Sequence, residues 1–217
     1  MSKFKLMRTF TLILFTTILF ANPSYGQKEF LELKKIYSIA DSLIAIGQIS
    51  ALDTTALFAK AQNLDQEYPS GFFLSSAQYM SNYQFNEASF CYFLGLMRFQ
   101  YYNSASPDYR VSDDGALLAS FKVWREPIVL YLCTDIDNYI FILKLCVSYY
   151  SKNDYTYFSK KKSKSKFKVQ IEKFHELILE LESNKEMYKQ QWAAERKTKE
   201  EQINKAMEYY KTKDVKE

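Results

Sequence analysis

His175 is the only histidine in the 217-residue chain, so any imidazole chemistry has to pass through it. Glu176 follows it, but position 179 is leucine. The H-E-x-x-H pattern, which puts two zinc ligands on one helical face, is therefore not completed. Catalytic zinc needs several ligands brought together, and a Ser–His or Cys–His nucleophile would have to borrow this one ring from a charged stretch. His175 reads as a surface histidine. Asp108, Asp113, Asp114 and Gly115 have the composition of a calcium loop. With Gly115 as the loop glycine, however, Arg110 and Ser112 fall at ligand positions and Phe121 stands where a bidentate glutamate is required. Paired carboxylates are the remaining enzymatic option. Asp113, Asp114, Glu126, Asp135 and Asp137 all lie near predicted helix ends, where two could serve as general acid and base on a glycan. Acidic residues also favour helix starts for electrostatic reasons alone, and that simpler account is preferred. The five glycines are scattered singly and build no phosphate-cradling loop. The expectation is a non-enzymatic chain with no catalytic residue, no cofactor and no metal, a carboxylate-based glycan hydrolase being the enzymatic alternative.

The strongest local charge feature is a run of six lysines: Lys160, Lys161, Lys162, Lys164, Lys166 and Lys168. Near an anionic membrane each is worth about 1 kcal/mol, and Phe167 could insert beside them. Serine-interleaved lysine runs are more often solvated linkers. A linker is thus the first expectation, and a basic patch for anionic lipid or polyanion the alternative. Nucleic acid is not an expected partner.

Overall composition frames these readings. With 47% hydrophobic, 17% aromatic and 25% charged residues, the chain is neither disordered nor a disulfide scaffold. It is long enough to bury one sizeable core. Residues 1–26 read as a signal peptide: Lys3, Lys5 and Arg8 precede an apolar run from Phe10 to Phe20, and Ser24-Tyr25-Gly26 suits cleavage before Gln27. That run is about half of the ~20 residues needed to span a bilayer. The expected destination is periplasmic or extracellular. The lack of an Asn-x-Ser/Thr acceptor after Gln27 favours a bacterial envelope. Beyond the leader, charge is lopsided. Residues 27–150 hold 9 basic and 13 acidic groups, whereas 151–217 hold 17 and 12. Cys91, Cys133 and Cys146 allow at most one internal bridge, and buried free thiols are the favoured reading.

The elements that must position these residues read as helices throughout. Phe30, Leu33, Ile36, Tyr37, Ala40, Leu43 and Ile44 form one stripe that Gly47 terminates. Asp53 caps a shorter helix with Ala56, Ala59 and Leu64 as inward positions. Helices over 72–80 and 86–101 follow, then a loop over 103–115. Asp113 or Asp114 caps the next helix, and Pro127 opens another after Glu126. Thr134 or Asp135 begins an almost wholly apolar helix through Tyr149, the expected centre of the core. Phe167, Ile171, Phe174, Ile178 and Leu181 step by four and three. From about Lys185 the chain reads as a solvated, protruding arm. The fold class is all-α, with a core over 27–150 and a lysine-rich linker plus charged helix over 151–217.

Within that core, Phe72 to Leu96 resembles one tetratricopeptide repeat, a helix–turn–helix unit. The resemblance rests on Phe72, Tyr79, the turn Phe85-Asn86-Glu87-Ala88 and Tyr92, with Phe58 and Ala61 a looser echo upstream. Ser75 and Ser76 stand where the family has leucine and glycine, Tyr83 replaces the turn glycine, and Gly95 replaces an alanine. The resemblance implies antiparallel helix hairpins and a peptide-binding inner face at Phe73, Ala77, Met80 and Ser81. The lysine and asparagine that grip a peptide carboxylate are missing from those positions. The function expected from it is a protein- or peptide-binding scaffold of the cell envelope.

Overall fold

The computed structural model describes residues 27–107 and 115–214, with side chains described over 30–107 and 124–209. Eight α-helices and no strand occur among the described residues. They are α1 (Gln27–Ala45), α2 (Thr54–Leu64), α3 (Ser70–Ser81), α4 (Phe85–Ala105), α5 (Gly115–Leu132), α6 (Ile136–Lys152), α7 (Lys164–Ser183) and α8 (Lys185–Asp214). A short 3-10 turn, Thr156–Phe158, lies between α6 and α7. The all-helical expectation holds. The carboxylates Asp108, Asp113 and Asp114 lie outside the described residues.

Several helix ends follow directly from local chemistry. Gly47 takes a left-handed conformation (φ 68°) just after α1, and Gln48 N–H closes back on Leu43 O at 2.8 Å. The Asp53 carboxylate accepts from Ala56 N–H at 3.0 Å and starts α2. Asp135 does the same for α6, accepting from Asn138 N–H at 2.7 Å. The turn between α3 and α4 places Tyr83 at φ 59°, a region that costs a non-glycine residue about 1–2 kcal/mol.

α4 is the axis of the molecule. It packs against α3, α5, α6 and α7, and its buried residues cover all sides of the helix. Gly95 is what lets α3 approach: a Cβ there would lie 2.6 Å from Phe72 Cβ. Overpacking of that kind typically costs about 1–3 kcal/mol. Around α4 the core is filled by rings. Phe85 stacks on Tyr131 at 4.8 Å, Phe73 meets Tyr92 edge-on at 5.8 Å, and Tyr150 stacks on Phe167 at 4.1 Å. Such pairs are worth about 0.5–1.5 kcal/mol each beyond their burial.

Three expectations are corrected. In α2, Ala56 and Ala59 are exposed, and Leu57, Ala61 and Leu64 carry the buried face. Pro127 lies inside α5 instead of opening a new helix. An interior proline loses one helical N–H bond and crowds the carbonyl four residues before it, and burial of Ile128, Tyr131 and Leu132 in the turn beyond opposes that cost. Finally, α8 is no protruding arm. Tyr188, Trp192 and Ile203 are buried, and the helix packs along α1. Arg196 grips Asp41 through two bonds of 2.8 and 2.7 Å while its guanidinium lies 4.6 Å from the Tyr37 ring centre. Lys199 reaches Glu126 at 3.1 Å, and Lys185 pairs with Asp137.

Candidate functional site

Two buried polar clusters, set twelve residues or about 18 Å apart along α4, pin the helices at either end of the bundle. At the start of α4, Asn86 donates to Ile49 O and Ala51 O at 2.8 and 3.2 Å. Its side-chain oxygen accepts from Tyr131 and Asn138. Towards the other end, Arg98 is fully buried and donates to both Asp65 carboxylate oxygens at 2.8 and 2.9 Å. The Tyr149 hydroxyl adds a third bond to Asp65 at 2.9 Å. Burial pushes the Asp65 carboxyl above its usual range, with Arg98 and Tyr149 pulling the other way. The guanidinium lies 4.6 Å from the Tyr150 ring centre and 5.3 Å from that of Tyr155.

This second cluster governs the connection from α6 to α7. Arg98 also donates to Asn153 O at 3.3 Å. The Asp65 carbonyl accepts from Thr156 Oγ1 and Tyr157 N–H, both at 2.8 Å, and Tyr155 donates to Glu67 O at 2.9 Å. Asp154 then organises the turn that begins the lysine run. Its carboxylate accepts from Tyr155 N–H, Ser159 Oγ and Lys160 N–H at 2.9, 2.6 and 2.7 Å. Burial raises the Asp154 carboxyl, but these three bonds and the Lys160 charge outweigh it and hold the group below its usual range.

The lysines therefore stand on a pinned turn and the first turns of a helix; the expected linker is not what the chain builds. Lys161, Lys162, Lys164, Lys166 and Lys168 are exposed, and Lys160 is partly covered with its ammonium 5.7 Å from the Phe167 ring centre. Among the described residues only Lys168 of the six has an ion pair, with Glu172 at 3.5 Å. Phe167 is buried in the α4–α6–α7 interface, which removes it as an inserting side chain. The outward ring at this end is instead Tyr157, 45% exposed and set edge-on against Tyr68 at 5.9 Å.

The charges are placed against the helix's own field. Lys164 and Lys166 lie in the first turn of α7, which holds no acidic residue, and Ser163 makes no side-chain capping bond. Positive side chains at this positively polarised end are unfavourable, by about 0.3–1 kcal/mol each.

Compared with protein-family models, curated proteins and solved structures, the chain matches none.

The residues of the implied peptide groove are split. Phe73 is fully buried and belongs to the core, Ala77 and Met80 are half-buried, and Ser81 is exposed. They do not form one open face. The described candidate carboxylates have structural employment: Asp135 caps α6, Glu126 meets Lys199 and Asp137 meets Lys185. His175 is exposed. Cys91, Cys133 and Cys146 are free, and burial pushes the Cys91 thiol up to about 12, far from a reactive thiolate. Among the described residues no three His, Cys, Asp or Glu side chains gather around a common point.

Reading the sequence alone missed Arg98, Asp65, Asp154 and Tyr157. Arg98 had a signal: it is the one charge between Glu87 and Asp108, within an otherwise uncharged aromatic stretch, and such a charge is buried only when paired. Its partner, 33 residues away, had none.

Proposed function

We propose that the protein is an exported, non-enzymatic helical binding module whose lysine-rich end docks on an anionic surface. The observation that carries this reading is the placement of Lys164 and Lys166 at the positively polarised end of α7, uncapped and without acidic neighbours in that turn. The arrangement costs folding free energy, and an anion from outside relieves it. A solvated linker would gain nothing from being held in place by Asp154 and the buried Arg98 cluster. Export rests on the leader-like first 26 residues.

Binding to a heparin resin as a generic polyanion tests the reading. The Lys164→Glu, Lys166→Glu chain is expected to elute at markedly lower salt than the native chain, because each lost contact also lowers the salt dependence. Elution at unchanged salt retires the proposal.

One observation favours a second reading, a protein-binding scaffold. Leu74 on α3 is 58% exposed, beside the half-buried Ala77, in the segment that resembles a tetratricopeptide repeat. A partner helix would lay an apolar side chain there. Crosslinking in envelope extract is expected to trap a partner that Leu74→Asp loses; equal capture by both chains rejects it.

A further inference from the structure

Resting on the anionic-surface reading, we propose that the surface is an anionic lipid bilayer and that Tyr157 is the side chain entering its interface. A soluble polyanion needs charge alone. This end of the molecule offers charge together with an exposed aromatic ring, three to nine residues before Lys160 to Lys166. Tyrosine has an apolar body and a polar tip, the combination that settles at the headgroup boundary of a bilayer. Lysine stems cover apolar surface while their ammonium groups reach the phosphates.

Tyr157 is also preorganised. Its amide is bound to Asp65 O at 2.8 Å, its neighbour Thr156 bonds the same oxygen, and its ring rests against Tyr68 and Tyr102. Presenting it outward therefore requires no unfolding of the turn. Charge distribution orients the approach. Residues 151–168 hold seven basic groups and one acidic, whereas 27–150 hold 9 and 13 and 169–217 hold 10 and 11, so an anionic bilayer attracts the lysine end and repels the rest. Phe167 cannot take the interfacial role, since it is enclosed between Tyr101 and Tyr150.

The test uses sedimentation of residues 27–217, the chain left once the leader is removed, with vesicles of phosphatidylcholine containing 30% phosphatidylglycerol, and inorganic polyphosphate as the soluble counterpart. Changing Lys161, Lys162, Lys164 and Lys166 to Ser is expected to weaken vesicle binding by roughly several hundredfold, at roughly fivefold per lysine. Tyr157→Ser is expected to weaken vesicle binding about threefold and to leave polyphosphate binding unchanged. Tyr157→Trp is expected to retain binding, with its added fluorescence quenched by brominated acyl chains. Full vesicle binding by Tyr157→Ser, or no quenching in Tyr157→Trp, overturns the bilayer inference while leaving the electrostatic reading intact. Unchanged binding by the four-lysine variant overturns both.

Discussion

Arg98 and the lysines of 160–166 are cations at the same end of one molecule, and the fold treats them in opposite ways. Arg98 is taken wholly out of water, matched to both oxygens of Asp65 and covered by the Tyr150 and Tyr155 rings. Lys160 to Lys166 have no ion-pair partner among the described residues, and two of them sit where a helix least favours positive charge. A guanidinium suits the first task, being planar, forked and weakly hydrated; an ammonium on a flexible stem suits the second. The contrast separates structural charge from charge available to a ligand. Enclosed and paired cations hold elements together, while unpaired cations on a rigid mount are ready to meet something else.

That contrast can be broken or sharpened by substitution. The largest effect is expected at the buried pair. Arg98→Met should lower unfolding free energy by about 3–5 kcal/mol, because it leaves the Asp65 charge buried and unmatched. Adding Asp65→Leu should recover part of that loss, and urea unfolding of both variants measures it. If the single change is tolerated as easily as a surface substitution, the enclosed-versus-presented distinction fails.

The lysine end should respond with the opposite sign. Lys164→Glu with Lys166→Glu is expected to raise unfolding free energy by about 1 kcal/mol, since acidic groups suit the start of α7. The same change is expected to weaken anionic-surface binding, read as elution from heparin at lower salt. Loss of stability in that variant would show that the lysines serve the fold after all.

Arg196 is the intermediate case, a partly exposed cation paired with Asp41, and its effect should be the smallest. The Arg196 hydrogen bonds hold the Asp41 carboxyl below its usual value of 3.8. A carboxyl depressed on folding stabilises the folded state above its unfolded pKa and loses that contribution as pH falls through the folded one. Exposure and salt screening keep the term under about 0.5 kcal/mol. Stability measured between pH 5 and pH 2 should therefore fall slightly more for the native chain than for Asp41→Asn. A larger drop in Asp41→Asn would contradict the assignment.

Much of the architecture was legible before any coordinates. The stripe from Leu33 to Ala40, the Gly47 stop and the caps at Asp53 and Asp135 are local matters. Periodicity and capping depend on residues within one or two turns. The inward face of α2 was misread because alanine tolerates either side, whereas Leu57 does not. The solvated appearance of α8 misled for a related reason. Its buried Tyr188, Trp192 and Ile203 are widely spaced among charged residues, and the helices it packs on, α6 with Tyr139 against Trp192 and α1, lie far back in the chain.

The candidate site shows the same division. Six lysines close together, and the alternation that makes α7 amphipathic, follow from the order of residues alone. Helicity and local charge density need no knowledge of distant neighbours. Whether those lysines hang on a tether or stand on a mount was decided by Arg98 meeting Asp65, by the Asp65 carbonyl holding Thr156 and Tyr157, and by Phe167 turning inward to leave Tyr157 outside. Each of these depends on segments far apart in the chain. Pairing across such separations is set by the packing of whole helices, which no local pattern encodes.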